Sequence, residues 1–374
     1  EFEEQSLYPP GNDSIIQACY LATLDLIKND PFFVSILHSV LKQRSDLTSK
    51  HFVNLYFRAL QYIKLFDKKN NLKKLSLQRI KSYLAKNHLL KEVWLKDIKK
   101  ITLEGNTKNL LVRLLLTKDT ATTKYQRYIS LFALINLLFP KSSVKVCDFG
   151  CGANYGLRGI EKGEKFEKVA DQTTDGLFTQ SLQERPSISE GLGIDKEDPN
   201  DKSSRNWIIA CSFYPSELSK LNSIIQFEQR IKSSKTTSFL EADLTSERLR
   251  KFVPKSYFDI VIISTVLYQI PDPKMHRIIL NKAKDCLKKG GILILQDFVR
   301  KDKNNRLNFN ESWFNQSYSY GTYVASSQTH WKLMEVFRFE NGRCLKVKDG
   351  QDLKSFSKTY FSKTSSAALA HSTS

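Results

Sequence analysis

The residues with the clearest chemical potential form a glycine-rich turn that follows a short apolar stretch, residues 144–149. Gly150 and Gly152 lack the Cβ atom that would keep a ligand away from the backbone. Asp148 lies two residues before the first of these glycines, where its carboxylate would repel a pyrophosphate and attract a cation such as a sulfonium. The spacing therefore predicts a nucleotide-type site for a cationic ligand.

Three strand-like stretches follow this turn along the chain, and each ends in a polar or acidic residue. They are residues 191–195, 237–243 and 258–264. Their last residues are Asp195, Asp243 and Ser264. Because ligands of an open α/β sheet bind beyond the carboxyl ends of its strands, these side chains are expected to face the same crevice as the glycine turn.

A helical apolar pattern over residues 275–289 leads through the glycine pair 290–291 to another strand-like stretch, which ends in Asp297. Strands that alternate with helices predict an α/β, Rossmann-like doubly wound sheet. Near the end of the chain, strand-like stretches at 332–339 and 344–348 flank an Asn-Gly turn and predict an antiparallel hairpin. With the hairpin, the pattern predicts seven strands.

The region before the sheet is dominated by helical patterns, with apolar residues three and four apart. These patterns cover residues 15–27, 32–41, 52–65, 75–84 and 125–138. Pro31 suits a first helical turn, and Pro140 ends the last pattern just before the first strand. We therefore expect an N-terminal helical domain over residues 1–140, which caps the crevice or forms a dimer interface, and a sheet domain over 141–361.

Composition predicts a soluble, cytoplasmic protein. The chain of 374 residues is 41% hydrophobic and 26% charged, has no long apolar run, and begins with acidic residues unlike a signal peptide. Its six cysteines include no CxxC pair, which argues against a zinc site and a disulfide framework. The Ser-, Thr- and Ala-rich residues 362–374 are expected to be a disordered tail.

The formal net charge of +19 raises the question of nucleic-acid binding. Lysines are densest in residues 67–100, where they alternate with apolar residues at helical spacing. One interpretation is that they coat the solvent faces of two short helices. The other is that they form a basic groove for RNA.

Several motifs carry a resemblance to a known family. The Asp-x-Gly-x-Gly pattern at 148–152 resembles motif I of class I S-adenosylmethionine-dependent methyltransferases, and the Lys-Gly-Gly before the last predicted parallel strand is similar to theirs. The strand end Gly193-Ile194-Asp195, followed by Asp198-Pro199, Asp201, Trp207, Ala210 and Pro215-Ser216-Glu217, resembles an uncharacterised methyltransferase-like family that has a hairpin insertion after motif I. The resemblance implies the methyltransferase fold and S-adenosylmethionine as the cofactor.

Positions along this fold imply roles for individual residues. Asp148, Gly150 and Gly152, with Cys151 between the glycines, are expected to contact the methionine part of the cofactor. Asp195 is expected at the ribose hydroxyls, Asp243 at the adenine amino group, and Ser264 beside the methyl-transfer face.

A general base is required only if the methyl acceptor starts protonated. The candidates are Tyr268 after the fourth strand, Asp297 after the fifth, and His330 in the late region. Residues 263–268 read Ile-Ser-Thr-Val-Leu-Tyr instead of the Asn-Pro-Pro-Tyr found in base and amide N-methyltransferases, which favours a small-molecule acceptor. No metal is expected.

One stretch departs from the family pattern. Asp195 lies much farther from Gly152 than the roughly twenty residues typical of a ribose-binding acid. The intervening residues, about 158–190, have the mixed composition of a hairpin or extended loop and are expected to fold over the cofactor or replace the first helix.

Three functions remain open from the sequence. The first is a methyltransferase for a small-molecule acceptor, the second an RNA or ribosomal RNA methyltransferase that uses the Lys-rich segment, and the third a catalytically inactive cofactor-binding protein that acts through partners. Phosphate contacts weaken steeply with salt, so salt sensitivity would separate the second from the first.

Overall fold

A computed structural model describes residues 1–44, 46–66, 90–120, 124–270, 272–301, 307–308 and 319–360. The chain forms two compact units, each of which is described by itself. A helical unit comprises residues 1–122 and 199–229, and a sheet unit comprises residues 123–198 and 230–374. The Lys-rich residues 67–89 and the predicted disordered tail lie outside the described residues.

The helical unit contains most of the predicted helices. Its N-terminal helices are α1 Phe2–Leu7, α2 Ser14–Asn29, α3 Pro31–Leu41, α4 Ser49–Phe66, α5 Lys91–Leu103 and α6 Gly105–Thr117. Asp13 and Asp30 cap α2 and α3 by accepting backbone N–H groups of the first turn, and Pro31 takes the first position of α3. The apolar faces of these helices share one core, in which Tyr20 and Trp94 are fully buried. No helix among the described residues is long and apolar enough to cross a membrane.

The segment 199–229, which follows the third strand in sequence, packs with these helices rather than with the sheet. It carries α10 Lys202–Ser212 and most of a second helix, Leu218–Ile231. The buried Arg58 and Gln61 of α4 donate hydrogen bonds to the main-chain oxygens of Ala210 and Phe213. The helical unit is therefore discontinuous in sequence, whereas we expected it to lie wholly before residue 140.

The sheet unit begins with a 3₁₀ turn, Tyr125–Tyr128, and helix α7 Ile129–Leu138. The strands are β1 Ser143–Phe149, β2 Ala170–Gln172, β3 Ser187–Asp195, β4 Thr237–Glu241, β5 Phe258–Ser264, β6 Leu287–Lys301, β7 Leu307–Asn308, β8 Ser319–Ser326, β9 Met334–Phe339 and β10 Lys346–Asp349. The helices of this unit are α8 Tyr155–Lys162, α9 Leu177–Gln180, α12 Leu249–Phe252 and α13 Pro273–Cys286, whereas α11 Leu218–Ile231 belongs mostly to the helical unit.

The strands join into one sheet, in the order β2-β10-β9-β8-β6-β5-β1-β3-β4, with β7 paired to β6. The five strands β4, β3, β1, β5 and β6 are parallel, and β8 is antiparallel to β6. The chain moves outward from β1 through β3 to β4 and then returns to the other side of β1 at β5. This reversal places a topological switch point between β1 and β5, and the predicted α/β Rossmann-like class is confirmed.

The predicted closing hairpin is also confirmed, since β10 pairs antiparallel with β9. One local expectation was wrong. The glycine turn is followed at once by helix α8, so the first helix is not replaced. The rest of 158–190 before β3 holds three short elements, β2, a 3₁₀ turn Thr174–Gly176 and α9, and whether it folds over the cofactor stays a prediction. Helix α13 lies within three residues of the predicted 275–289, and strand β6 begins directly after Cys286.

Candidate functional site

The glycine turn after β1 lies at the centre of the parallel strands. Asp148 pairs in register with Gly193 of β3 on one side and Ile262 of β5 on the other. The amides of Gly150 and Cys151 both donate to the main-chain oxygen of Ile194, at 2.8 and 3.1 Å. The turn is therefore fixed to the carboxyl end of β3 through its backbone.

Only glycine fits at position 150, both because of the backbone conformation and because of the space available for a side chain. Its φ of +81° is left-handed, and an added Cβ would lie 2.3 Å from Cγ2 of Val266, a residue of the loop after β5. The close approach brings the turn after β1 against the loop after β5, at the switch point.

Asp148 is completely buried and only half satisfied. Its Oδ2 accepts a hydrogen bond of 2.7 Å from the hydroxyl of Tyr128, whereas its Oδ1 has no hydrogen-bond partner among the residues that the structure describes. Burial raises the pKa of the Asp148 carboxyl to about 7, despite the Tyr128 bond and with a further increase from the nearby Asp195. A buried acid with an unused acceptor is suited to a ligand that brings a positive charge or N–H donors.

Asp195 ends β3 and contacts the same turn. Its Oδ2 accepts the Gly152 amide at 2.7 Å, and its Oδ1 accepts its neighbour's amide, that of Lys196, at 2.7 Å. Burial raises the pKa of Asp195 to about 6 against the effect of these two bonds. The predicted pair Asp148 and Asp195 is thus brought to one edge of the sheet.

Asp243 lies in the loop after β4 and beside Asp195. The Ala242 amide donates to the main-chain oxygen of Asp195 at 2.8 Å, and Lys196 Nζ lies 3.6 Å from Asp243 Oδ2. Partial burial would raise the pKa of Asp243, but hydrogen bonds from Thr245 and the Lys196 ammonium hold it below its ordinary value. This carboxylate is ionised and belongs to the same edge.

The ends of β5 and β6 form the other wall of the switch point. Ser264 is buried, and its hydroxyl donates to Gln296 Oε1 at 3.3 Å. The next residue, Thr265, has a left-handed φ of +62° and a 2.9 Å hydroxyl contact with Tyr320. A β-branched residue in this conformation is strained, and such strain is held in place by the surrounding bonds, often at functional sites.

Asp297 is buried within β6, and its carboxylate accepts hydrogen bonds from main-chain amides. Its Oδ2 accepts the amides of Leu267 and Tyr268 at 2.9 and 3.3 Å, and its Oδ1 accepts the Phe298 amide. Burial raises its pKa to about 7. The carboxylate thereby holds the 3₁₀ turn Leu267–Gln269, so Asp297 has the contacts of a positioning group rather than those of a free base.

Tyr268 lies in that turn, nearly buried, with its ring 5.3 Å from the ring of Phe298 in an edge-to-face arrangement. His330 is elsewhere. It is exposed in the connection between β8 and β9, which follows Ser326, and Ser326 pairs with Ile292 early in β6. That connection lies at the amino edge of the parallel strands, so the fold does not bring His330 to the acids.

Cys151 is buried, and burial raises the pKa of its thiol well above the ordinary value. It therefore belongs to the turn through its backbone amide rather than through a reactive sulfur. All six cysteines of the chain lie among the described residues, are buried and form no disulfide.

Sequence reasoning missed Tyr128, the one side chain that binds Asp148. The available signal was a pair of glycines inside a helix. Added Cβ atoms at Gly156 and Gly159 of α8 would lie 2.0 and 2.3 Å from the rings of Tyr128 and Tyr125. The 3₁₀ turn before α7 therefore packs directly on α8, which delivers the Tyr128 hydroxyl to the end of β1.

Two of the four described lysines of the Lys-rich segment lie near acids of the chain. Lys91 lies 2.7 Å from Asp25, and Lys100 lies 3.8 Å from Glu104. These contacts fit the interpretation of solvent-facing helix lysines for residues 90–100, while residues 67–89 are outside the described structure.

One comparison with known proteins identifies a family. A family model described as a methyltransferase domain matches residues 123–358, which is more than half of the chain. No curated protein matches the chain significantly.

Among solved structures, the N-methyltransferase NodS from Bradyrhizobium japonicum in complex with S-adenosyl-L-homocysteine is 18% identical, with 48% of this chain and 64% of that chain covered and a TM-score of 0.26. An O-methyltransferase family protein from Burkholderia thailandensis is 13% identical, with 69% of this chain and 57% of that chain covered and a TM-score of 0.29. The chain spans about half to two thirds of the length of the first structures that it matches.

Proposed function

The chain belongs to the family of methyltransferase domains, and from this premise we propose that it transfers a methyl group from S-adenosylmethionine to a small-molecule acceptor. The observation that carries the proposal is the buried Asp148, whose Oδ1 has no partner, at the switch point of the sheet. An acid in this state is stabilised by a cationic ligand and destabilised by an anionic one.

The residues fit the cofactor in charge and in hydrogen-bonding capacity. Asp148 and the Gly150–Gly152 turn would hold its methionine part, Asp195 its ribose, and Asp243 its adenine amino group. The Asp195 carboxylate adds negative charge beside Asp148, while Lys196 lies beside Asp195 and Asp243. When bound, S-adenosylmethionine supplies an electrophilic methyl group on a positively charged sulfur.

The chain's own contribution is placement and exclusion of water, since in-line displacement depends mainly on alignment of the reacting atoms. Ser264 and Tyr268 border the face on which the acceptor would lie. Asp297 fixes the turn that carries Tyr268 by accepting two of its amides. We propose Tyr268 as the group that holds the acceptor's proton where one must be removed. His330 has no part in this proposal.

A small-molecule acceptor is favoured because the residues at the methyl-transfer face are buried and the described lysines 91 and 100 are paired with acids of the chain. We place the protein in the cytoplasm on the composition of its sequence.

Calorimetric titration with S-adenosylmethionine and S-adenosylhomocysteine tests the cofactor part of the proposal. We expect micromolar binding that is lost in Asp148→Ala and in Asp195→Ala. The matched control is Asp285→Asn, which removes the charge of an exposed aspartate paired with Arg250 and should bind as the wild type does. Absence of binding by the intact protein would contradict the proposal.

A labelling experiment tests the acceptor. The protein and S-adenosylmethionine with a deuterated methyl group are incubated with a metabolite fraction below about 1 kDa or with total RNA, at low and moderate salt. Label in the metabolite fraction at both salt concentrations supports the proposal. Label only in RNA, lost at moderate salt, would favour the RNA methyltransferase. Binding without any label would favour a protein that has lost catalysis.

A further inference from the structure

A buried lysine holds the loop that follows β4. Lys282, on α13, is 1% exposed, and its ammonium donates to three successive main-chain oxygens, those of Leu244, Thr245 and Ser246, at 3.1, 2.7 and 2.8 Å. An ammonium has three N–H donors, so all of them are used. One side chain thus fixes three consecutive carbonyl groups.

The buried charge carries a cost. Burial lowers the pKa of Lys282, and the surrounding charged groups are Glu247 and Asp243, which favour the charge, and Arg250, which opposes it. An apolar side chain would fill the same space without this desolvation, but it would leave three carbonyl groups without donors. Lys282 therefore fixes the backbone conformation of residues 244–246.

The loop that Lys282 holds is continuous with the candidate cofactor site. Inside the loop, Asp243 Oδ1 accepts both the amide and the hydroxyl of Thr245 at 2.7 Å. At its start, the Ala242 amide donates to the main-chain oxygen of Asp195, whose carboxylate accepts the Gly152 amide. Hydrogen bonds and the covalent backbone together therefore connect Lys282 through Thr245, Asp243 and Asp195 to the glycine turn.

From this connection we propose that Lys282 is a positioning residue for recognition of the adenine base. It holds residues 244–246 so that the Asp243 carboxylate keeps one orientation toward the base and selects a purine that carries an amino group. The inference rests on the proposed function and deepens it, because it names the residue that sets the specificity of the nucleoside half of the site. Lys282 does not touch the ligand and acts through the loop.

The test compares two ligands that differ at one group of the base. S-adenosylhomocysteine has an amino group where S-inosylhomocysteine has an oxygen, so a carboxylate that accepts from the amino group discriminates between them. We expect the wild type to bind the adenosyl compound about tenfold more tightly, the effect of one hydrogen bond to a charged group. In Lys282→Met we expect the two dissociation constants to approach each other.

Lys274→Met is the matched control, because it removes the same charge from an exposed position on the same helix. It should keep the wild-type ratio. Lys282→Arg keeps the cation and should retain part of the ratio of the two dissociation constants. Circular dichroism will show whether Lys282→Met folds. If it does not, the same two dissociation constants are measured for Lys282→Arg and for Thr245→Ala, which removes the hydroxyl that binds Asp243, and these variants decide.

The outcomes are distinct. A wild type that does not bind S-adenosylhomocysteine contradicts the proposed function itself. A wild type that binds both compounds equally, or a folded Lys282→Met that keeps the wild-type ratio, overturns the role of Lys282 and leaves the proposed function standing. A ratio that falls in Lys282→Met and is unchanged in Lys274→Met supports it, because general loosening of the fold would weaken both ligands alike.

Discussion

Two acids of the sheet unit, Asp148 and Glu161, lie at opposite edges of the sheet and differ in their hydrogen bonds and in the direction of their pKa shifts. Asp148 precedes α8 at the carboxyl edge, accepts one hydrogen bond and has a pKa raised to about 7 by burial. Glu161 lies near the end of α8 and meets the start of β4 at the amino edge. It accepts bonds from the Ser234 and Thr237 hydroxyls and the amides of Lys235 and Thr236.

These bonds outweigh desolvation and lower the pKa of Glu161 to about 2. Glu161 is saturated with donors from its own chain, and these donors lower its pKa. Asp148 keeps an acceptor unused, and burial raises its pKa, so the unbound protein carries a stability penalty at neutral pH. Asp297 is saturated with amide donors and still has a raised pKa, so the unused acceptor, and not the pKa alone, distinguishes Asp148. Variants at Asp148, Gly150 and Glu161 test this distinction.

The largest effect is expected from Asp148→Asn. The amide keeps the shape and the Tyr128 contact but loses the charge, so S-adenosylmethionine should bind about 10–100-fold more weakly in calorimetry. The unliganded variant should melt higher than the wild type at pH 8 by about 2–4 °C per kcal/mol of relieved desolvation. Weaker binding together with a lower melting temperature would mean that Asp148 is a structural acid like Glu161.

Gly150→Ala tests whether the glycine turn next to Asp148 requires a residue without a Cβ. The left-handed backbone costs about 1–2 kcal/mol for a residue with a Cβ, and the contact with Val266 adds about 1–3 kcal/mol, so urea unfolding should show a loss of about 2–5 kcal/mol. The double variant Gly150→Ala with Val266→Ala should recover only the contact part. Full recovery would show that the left-handed φ is not needed.

Glu161→Ala should lower stability by about 1–3 kcal/mol without changing the affinity for S-adenosylhomocysteine. Because the folded pKa lies below the unfolded value of roughly 4.3, the contribution of Glu161 is present above that value and disappears as the pH falls toward 2. The difference in stability between variant and wild type, measured by urea unfolding at several pH values, should narrow over this range. A changed affinity would show that the amino edge also shapes the site.

The smallest effect is the pH dependence of binding. A cationic ligand requires an ionised Asp148, whose pKa without ligand is about 7, so affinity for S-adenosylmethionine should fall as the pH drops below 7, by at most about tenfold per unit. Calorimetry in buffers of different ionisation enthalpy should detect proton release on binding. Asp148→Asn should show neither the pH dependence nor the proton release. A pH-independent affinity in the wild type would contradict a raised pKa of Asp148.

Local patterns in the sequence were sufficient for much of the fold. Strand β5 was predicted to the residue, and β1 and the helices α2, α3 and α4 to within three residues at each end, because apolar spacing and caps act within one element. The resemblance to class I methyltransferases is confirmed, whereas the narrower likeness to a family with a hairpin insertion stays a prediction. The individual site roles also stay predictions.

Other features depend on residues far apart in sequence, and no local pattern reports them. His330 follows an unpredicted antiparallel strand, β8, and only the pairing of that strand places it at the amino edge. The segment 199–229 joins the helical unit through Arg58 and Gln61, whose partners lie about 150 positions away.

The sequence by itself determined the alternation of strands and helices, the glycine turn and the acids at the strand ends, because each is written in the spacing of neighbouring residues. The tertiary structure decided what those acids can do. Tyr128 reaches Asp148, Lys282 reaches the Asp243 loop and three segments meet at the switch point only after the chain has folded. Desolvation and hydrogen-bond supply are properties of that assembled environment, and they separate a structural carboxylate from one prepared for a ligand.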